Sequence, residues 1–140
     1  MPTARRAYVA YRLLAGATAA LCFLVGMIFI VAFLDRALFP VFARPLFDTD
    51  YWGYYILGFA GSTLVAWGGC LIAAVRDPPR SIGVATATIS ALIIGGILRL
   101  LAWYSGEYRG AAEQLRIEAA VLVLLALGFV WLRPSRDDRA

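Results

Sequence analysis

Residues 13–34 read LLAGATAALCFLVGMIFIVAFL, bounded by Arg12 on one side and by Asp35 and Arg36 on the other. No charged side chain interrupts the run. A helix needs about 20 mostly apolar residues to cross a hydrocarbon core of about 30 Å, so this stretch is long enough to span a bilayer. The basic residues before it, Arg5, Arg6 and Arg12, imitate the start of a signal peptide. The run outlasts the roughly 7–15 apolar residues of such a signal, and no small-residue cleavage site follows it. It is therefore read as a retained membrane anchor.

Three further runs repeat the pattern. One extends from Tyr51 to about Val75 and stops at Arg76-Asp77-Pro78-Pro79-Arg80, a polar turn through which no helix continues. The next covers about Ile82–Trp103, and the last begins near Leu115 and ends at Leu132, before Arg133 and Pro134. The predicted architecture is all-α: a polytopic membrane protein whose 140 residues form one four-helix transmembrane bundle. The composition agrees, since 62% of the residues are hydrophobic, against about 45–50% apolar residues in a soluble domain. Four crossings leave short loops and no separate soluble domain.

The arginines set the expected orientation. Both chain ends and the turn after the second span must share a side, because an even number of crossings separates them. That side holds Arg5, Arg6, Arg12, Arg76, Arg80, Arg133, Arg136 and Arg139, whereas the other holds Arg36, Arg44, Arg99, Arg109 and Arg116, a bias of 8 to 5. The positive-inside rule then puts both termini in the cytoplasm, and the expected location is a bacterial cytoplasmic (inner) membrane. Aromatic belts fit this layout, with Tyr51, Trp52, Tyr54, Tyr55, Trp103, Tyr104 and Tyr108 at the outer boundary and Tyr8, Tyr11 and Trp131 at the inner one.

The net charge of +4 does not indicate nucleic acid, since the basic residues flank apolar runs. All 13 of them are arginine, which is read as a mark of a GC-rich genome rather than a demand for bidentate anion recognition. There is no histidine, so the usual haem ligand and the commonest zinc ligand are missing. No metal and no resident cofactor are expected. Cys22 and Cys70 lie at different depths and outside any Cys-x-x-Cys motif, so both are read as apolar filler rather than a disulfide.

The outer connection, residues 35–50, carries Leu38, Phe39, Val41, Phe42, Leu46 and Phe47 around Pro40 and Pro45. It reads as an interfacial cap over the bundle, or alternatively as a lid over a lipid-facing pocket.

Membrane helices associate by close backbone approach, which small residues at every fourth position allow. Gly58, Ser62, Ala66 and Cys70 supply that spacing in the second span, and Gly83, Ala87, Ala91 and Gly95 supply it in the third. Two such rows on consecutive helices predict an antiparallel pair at the centre of the bundle. One more step along the third span reaches Arg99, about one turn inside the boundary marked by Trp103. Glu118 enters the fourth span from the same side at similar depth. Because an intramembrane charge is costly and usually finds a partner, an Arg99–Glu118 ion pair is expected. It reads as a structural clasp, or as a site where Arg99 holds an anionic or polar headgroup.

From Tyr51 to about Phe129 the chain resembles a known family. The features that carry the likeness are a glycine-rich second span (Gly58, Gly61, Gly68, Gly69), the Arg76-Asp77 turn, and Gly95-Gly96 followed by Arg99. A polar Ser105-Gly106-Glu107 turn and a last span headed by Glu118 complete it. This pattern is similar to that of the DoxX-like group of small four-helix bacterial membrane proteins. The resemblance implies the four-helix architecture and, through the name-giving members, an association with a thiosulfate:quinone oxidoreductase. The chain offers no cysteine pair or metal ligands for that chemistry.

Two functions are therefore expected in order. The first is an accessory or scaffold subunit with no catalytic activity of its own, packed in the bilayer against a membrane-protein partner or a further copy. The second is a lipid- or quinone-binding protein whose ligand sits near Arg99, Glu118, Tyr55 and Tyr104. A proton-coupled exporter of the small four-helix kind fits the length. Such exporters use a carboxylate deep in the first span, and residues 13–34 contain none.

Overall fold

The computed structural model describes residues 2–38, 47, 49–105 and 112–133, and these are almost wholly helical. Helix α1 covers Pro2–Leu38, α2 Tyr51–Arg76, α3 Ile82–Ser105 and α4 Ala112–Leu132. All four are long and apolar enough to cross a membrane, and no strand occurs among the described residues. The chain is a multi-pass membrane protein of all-α class, and its apolar helices face lipid.

The helices outrun the apolar stretches that announce them. Helix α1 begins eleven residues before Leu13 and has 37 residues, which at about 1.5 Å per residue is near 55 Å, well beyond one hydrocarbon core. Hydropathy marks where a helix meets lipid. Helix-forming Ala, Arg and Leu extend it past that point, and Pro2 sits at a start where its missing N–H costs nothing. Helix α4 likewise opens at Ala112, with Glu113 in its first turn favoured by the helix dipole.

Helix α2 starts on a side-chain cap: Asp50 Oδ1 accepts the Gly53 N–H at 2.8 Å, and the Asp50 carbonyl accepts the Tyr54 N–H at 3.2 Å. Between α2 and α3 the chain turns through Asp77-Pro78 and a short 3₁₀ segment, Pro79–Ser81. The Ser81 N–H reaches the Pro78 carbonyl at 3.1 Å, the Ser81 hydroxyl donates to the Asp77 carbonyl at 2.8 Å, and Arg80 Nε lies 3.4 Å from Asp77 Oδ2. The two prolines that end α2 thus sit in a turn whose freed carbonyls find donors.

The chain divides into two compact units, one of Met1–Leu14 with Ala74–Ala140 and one of Ala15–Ala73. In the second unit α1 and α2 run antiparallel. Their closest approach is glycine on glycine. A Cβ on Gly26 would stand 2.8 Å from the Gly61 carbonyl oxygen, and one on Gly61 would stand 2.7 Å from that of Gly26. Either side of this crossing, Phe23 lies over Gly68 and Phe33 over Gly58. At the α2 start, the Tyr54 hydroxyl donates to the Phe47 carbonyl at 2.7 Å, and the Phe29 and Phe47 rings meet edge to face at 5.9 Å.

In the first unit α3 and α4 are antiparallel neighbours. Gly96 faces Val123 and Ala119, Arg99 meets Glu118, and Arg133 Nη1 donates to the Thr86 hydroxyl at 3.4 Å, so residue numbers fall along one helix as they rise along the other. The start of α1 completes the unit, with Tyr11 edge-on to Phe129 at 6.1 Å and Leu14 over Gly128. Tyr11, Phe129, Ala85 and Thr88 are its buried centre.

Most of the expected outer loop, including Phe39, Pro40, Val41, Phe42, Pro45 and Leu46, lies outside the described residues. So do Gly106, Glu107, Tyr108 and Arg109 of the α3–α4 connection, and Pro134, Arg136 and Arg139.

Candidate functional site

Helix α3 places Arg99 one turn after Gly95, on the side turned to α4. Gly95 has no side chain to fill that side, so the Arg99 guanidinium lies back along its own helix and donates from Nη1 to the Gly95 carbonyl at 3.4 Å. Gly96, next to it, opens the way for α4. A Cβ there would stand 3.5 Å from Val123 Cγ2 and 3.7 Å from the Ala119 carbonyl oxygen, in ordinary contact. Glu118 is thereby brought level with Arg99.

The resulting ion pair is short: Arg99 Nε donates to Glu118 Oε2 at 2.6 Å. Gln114, one turn earlier on α4, donates from Nε2 to Glu118 Oε1 at 2.8 Å. Both carboxylate oxygens are occupied, one by a cation and one by an amide, as a charge at the edge of the bilayer demands. The expected pair is present, and Gln114 is an addition. Its spacing of one helical turn from Glu118 was the available signal.

The pair is nevertheless open at its rim, with side chains 39% and 38% exposed. A guanidinium carries five N–H donors, and the contacts to Glu118 and Gly95 engage two of them. The rest could hold a polar or anionic group. Near the same end, Arg116 Nη2 stands 3.6 Å from Glu113 Oε1 at the surface.

Neither of the other expected site residues has a contact with the Arg99–Glu118 pair among the described hydrogen bonds and ion pairs. Tyr104 is exposed on the last turn of α3. Tyr55 belongs to the other unit, where its ring meets Trp52 edge to face at 6.3 Å. There it lines an open apolar recess of about 320 Å³ with Ile30, Phe33, Leu34, Gly58, Phe59 and Ser62. In its wall the Phe33 ring lies directly on Gly58, and Ser62 donates to its own helix at Phe59 O, 2.8 Å away.

Of the residues expected to pack helices, Gly58 lies against Phe33 and Gly95 beside Leu122. Ser62, Ala66, Gly83, Ala87 and Ala91 are exposed. Gly58 makes its α1–α2 contact together with Gly26, Gly61 and Gly68, which lie outside the two expected packing rows. Cys22 and Cys70 are free thiols, and among the described residues no three His, Cys, Asp or Glu side chains gather. No family model, curated protein or solved structure matches the chain.

Proposed function

We propose that this chain is an accessory subunit of a larger membrane complex, seated in a bacterial cytoplasmic membrane with both termini inside. The observation that carries this reading is the pair of exposed small-residue rows. Ser62 and Ala66 on α2, and Gly83, Ala87 and Ala91 on α3, interrupt helix surfaces otherwise jacketed with exposed Ile, Leu and Phe. A Cβ on Gly83 would meet nothing within 4 Å. Lipid gains nothing from such a surface, whereas a neighbouring transmembrane helix can bring its backbone close to it. The DoxX-like resemblance belongs to the same proposal, since it suggests a small subunit beside a larger redox complex.

On this reading Arg99, Glu118 and Gln114 clasp α3 to α4. The test is purification of the intact chain from its native membrane in mild detergent. A partner, or a further copy, should co-elute in fixed ratio, and Ala87→Leu/Ala91→Leu should release it while leaving the chain folded. Recovery of a single functional copy, or a partner indifferent to the two leucines, would overturn the reading.

The partial exposure of the Arg99–Glu118 pair favours a second reading, a lipid- or quinone-binding protein with its polar ligand group at Arg99. Arg99→Ala alone and with Glu118→Ala separates the two. A clasp predicts that the double variant recovers stability and partner binding, whereas a ligand site predicts that function stays lost.

A further inference from the structure

The first unit has two unlike ends. At the Arg99 end each described arginine of the unit has a carboxylate: Arg99 has Glu118 at 2.6 Å and Arg116 has Glu113 at 3.6 Å. The opposite end gathers Arg6 and Arg12 at the start of α1, Arg76 at the end of α2, Arg80 in the 3₁₀ turn and Arg133 just past α4. All five are exposed. Contacts within the unit hold Arg12, Arg80 and Arg133 near one level, and Arg6 lies about 9 Å further out along α1. Tyr11, beside Arg12, meets Phe129, one turn before Arg133, and Arg133 in turn reaches Thr86, one turn into α3 from the Arg80 turn.

Only Arg80 has a carboxylate among the described residues, Asp77 at 3.4 Å. Arg133 has a hydroxyl, and among the described residues Arg6, Arg12 and Arg76 form no ion pair. The depth of the cluster is fixed by its neighbours. Val9, Leu13, Val130 and Trp131, with Trp131 82% exposed, stand within a few residues of the arginines and are large apolar groups facing outward. The guanidinium groups therefore lie where hydrocarbon gives way to headgroups, at the level of lipid phosphates.

We propose that this end of the unit is a docking surface for anionic lipids, its exposed guanidinium groups taking the phosphate oxygens of headgroups in one leaflet. Guanidinium matches phosphate in shape as well as charge, offering parallel N–H donors to two oxygens. At the Arg99 end the same phosphate would meet Glu113 and Glu118, so selectivity belongs to one end only. A polynucleotide needs its phosphates in water, clear of Trp131 and Leu13, and does not fit this depth. The proposal stands apart from the accessory-subunit reading, since it requires no protein partner.

The test uses the purified full-length chain in phosphatidylcholine vesicles carrying trace spin-labelled lipid, either phosphatidylglycerol or phosphatidylcholine. At low salt, phosphatidylglycerol should associate several-fold more strongly than phosphatidylcholine. High salt should erase the difference, because the contacts are at the surface. Arg6→Gln/Arg12→Gln/Arg76→Gln/Arg133→Gln should bring the ratio close to one, and Arg12→Gln or Arg133→Gln alone should lower it measurably. Arg116→Gln, at the other end, should leave it unchanged. If the fourfold variant fails to fold, the single variants and the salt titration decide. Equal association of the two lipids with the folded wild-type chain would overturn the proposal and leave the surface to an acidic protein. Selectivity that survives the arginine substitutions, or that falls equally with Arg116→Gln, would also overturn it.

Discussion

Tyr11 and Tyr54 are both buried phenols on apolar helices, and their hydroxyls have opposite circumstances. The Tyr54 hydroxyl donates to the Phe47 carbonyl at 2.7 Å and accepts the Phe47 N–H at 3.3 Å. It ties Phe47, three residues before the α2 cap, to the helix itself. The Tyr11 hydroxyl is fully buried and has no hydrogen-bond partner among the described residues. A buried polar group left unpaired costs about 1–3 kcal/mol, whereas a made hydrogen bond contributes about 1 kcal/mol. Tyr54→Phe is therefore expected to lower stability by about 1 kcal/mol, and Tyr11→Phe to leave it unchanged or raise it, since the ring contact with Phe129 survives. Unfolding by denaturing detergent in mixed micelles, followed by circular dichroism, measures both. A clear loss in Tyr11→Phe would contradict this account of the α1 start.

At the scale of helices, the α1–α2 crossing and the α3–α4 clasp make different demands. A methyl group on Gly26 or Gly61 would meet a backbone oxygen, at 2.8 and 2.7 Å, and backbone cannot rotate away. Gly61→Ala should cost about 1–3 kcal/mol, the usual penalty of overpacking. Gly96→Ala, whose methyl would rest at 3.5 Å from Val123, should be tolerated. The same unfolding measurement separates them, and equal effects would contradict the described crossing. For the clasp, a double-mutant cycle of Arg99→Ala and Glu118→Ala should return a coupling of about 0.6–1.7 kcal/mol, the range for polar contacts between membrane helices. A coupling of zero would mean the pair holds nothing together.

These two contacts also show how far the sequence could be read. Arg99 and Glu118 were legible because a charge near the bilayer edge needs a partner, and depth alone matched them. The α1–α2 contact was not legible in the same way. A row at every fourth residue turns about 40° per step on a helix of roughly 3.6 residues per turn, so Gly58, Ser62, Ala66 and Cys70 walk off the face that Gly58 begins. The contact follows alternating steps of three and four, Gly58, Gly61, Val65 and Gly68, which stay on one side as in a coiled coil. Val65 indeed meets Gly26. The partner row on α1, with Ala19, Phe23, Gly26, Ile30 and Phe33, mixes bulky residues with one glycine. No spacing rule for small residues singles it out.

For the molecule as a whole, four apolar helices joined by short connections make a membrane protein with little of its mass in water. In the first unit the charges are sorted to two ends, arginines paired with carboxylates at the Arg99 end and, among the described residues, five arginines with Asp77 as the one paired carboxylate at the other. Everything else said of it depends on the four crossings. The direct measurement is topology mapping in cells with an impermeant maleimide. Single cysteines, Arg6→Cys, Arg36→Cys, Arg80→Cys and Ser105→Cys, are placed one at a time in a Cys22→Ser/Cys70→Ser background. Positions 36 and 105 should label from outside in intact cells, and positions 6 and 80 only after lysis. Labelling of positions 80 and 105 from the same side would contradict a membrane-spanning α3, and with it the four-helix account.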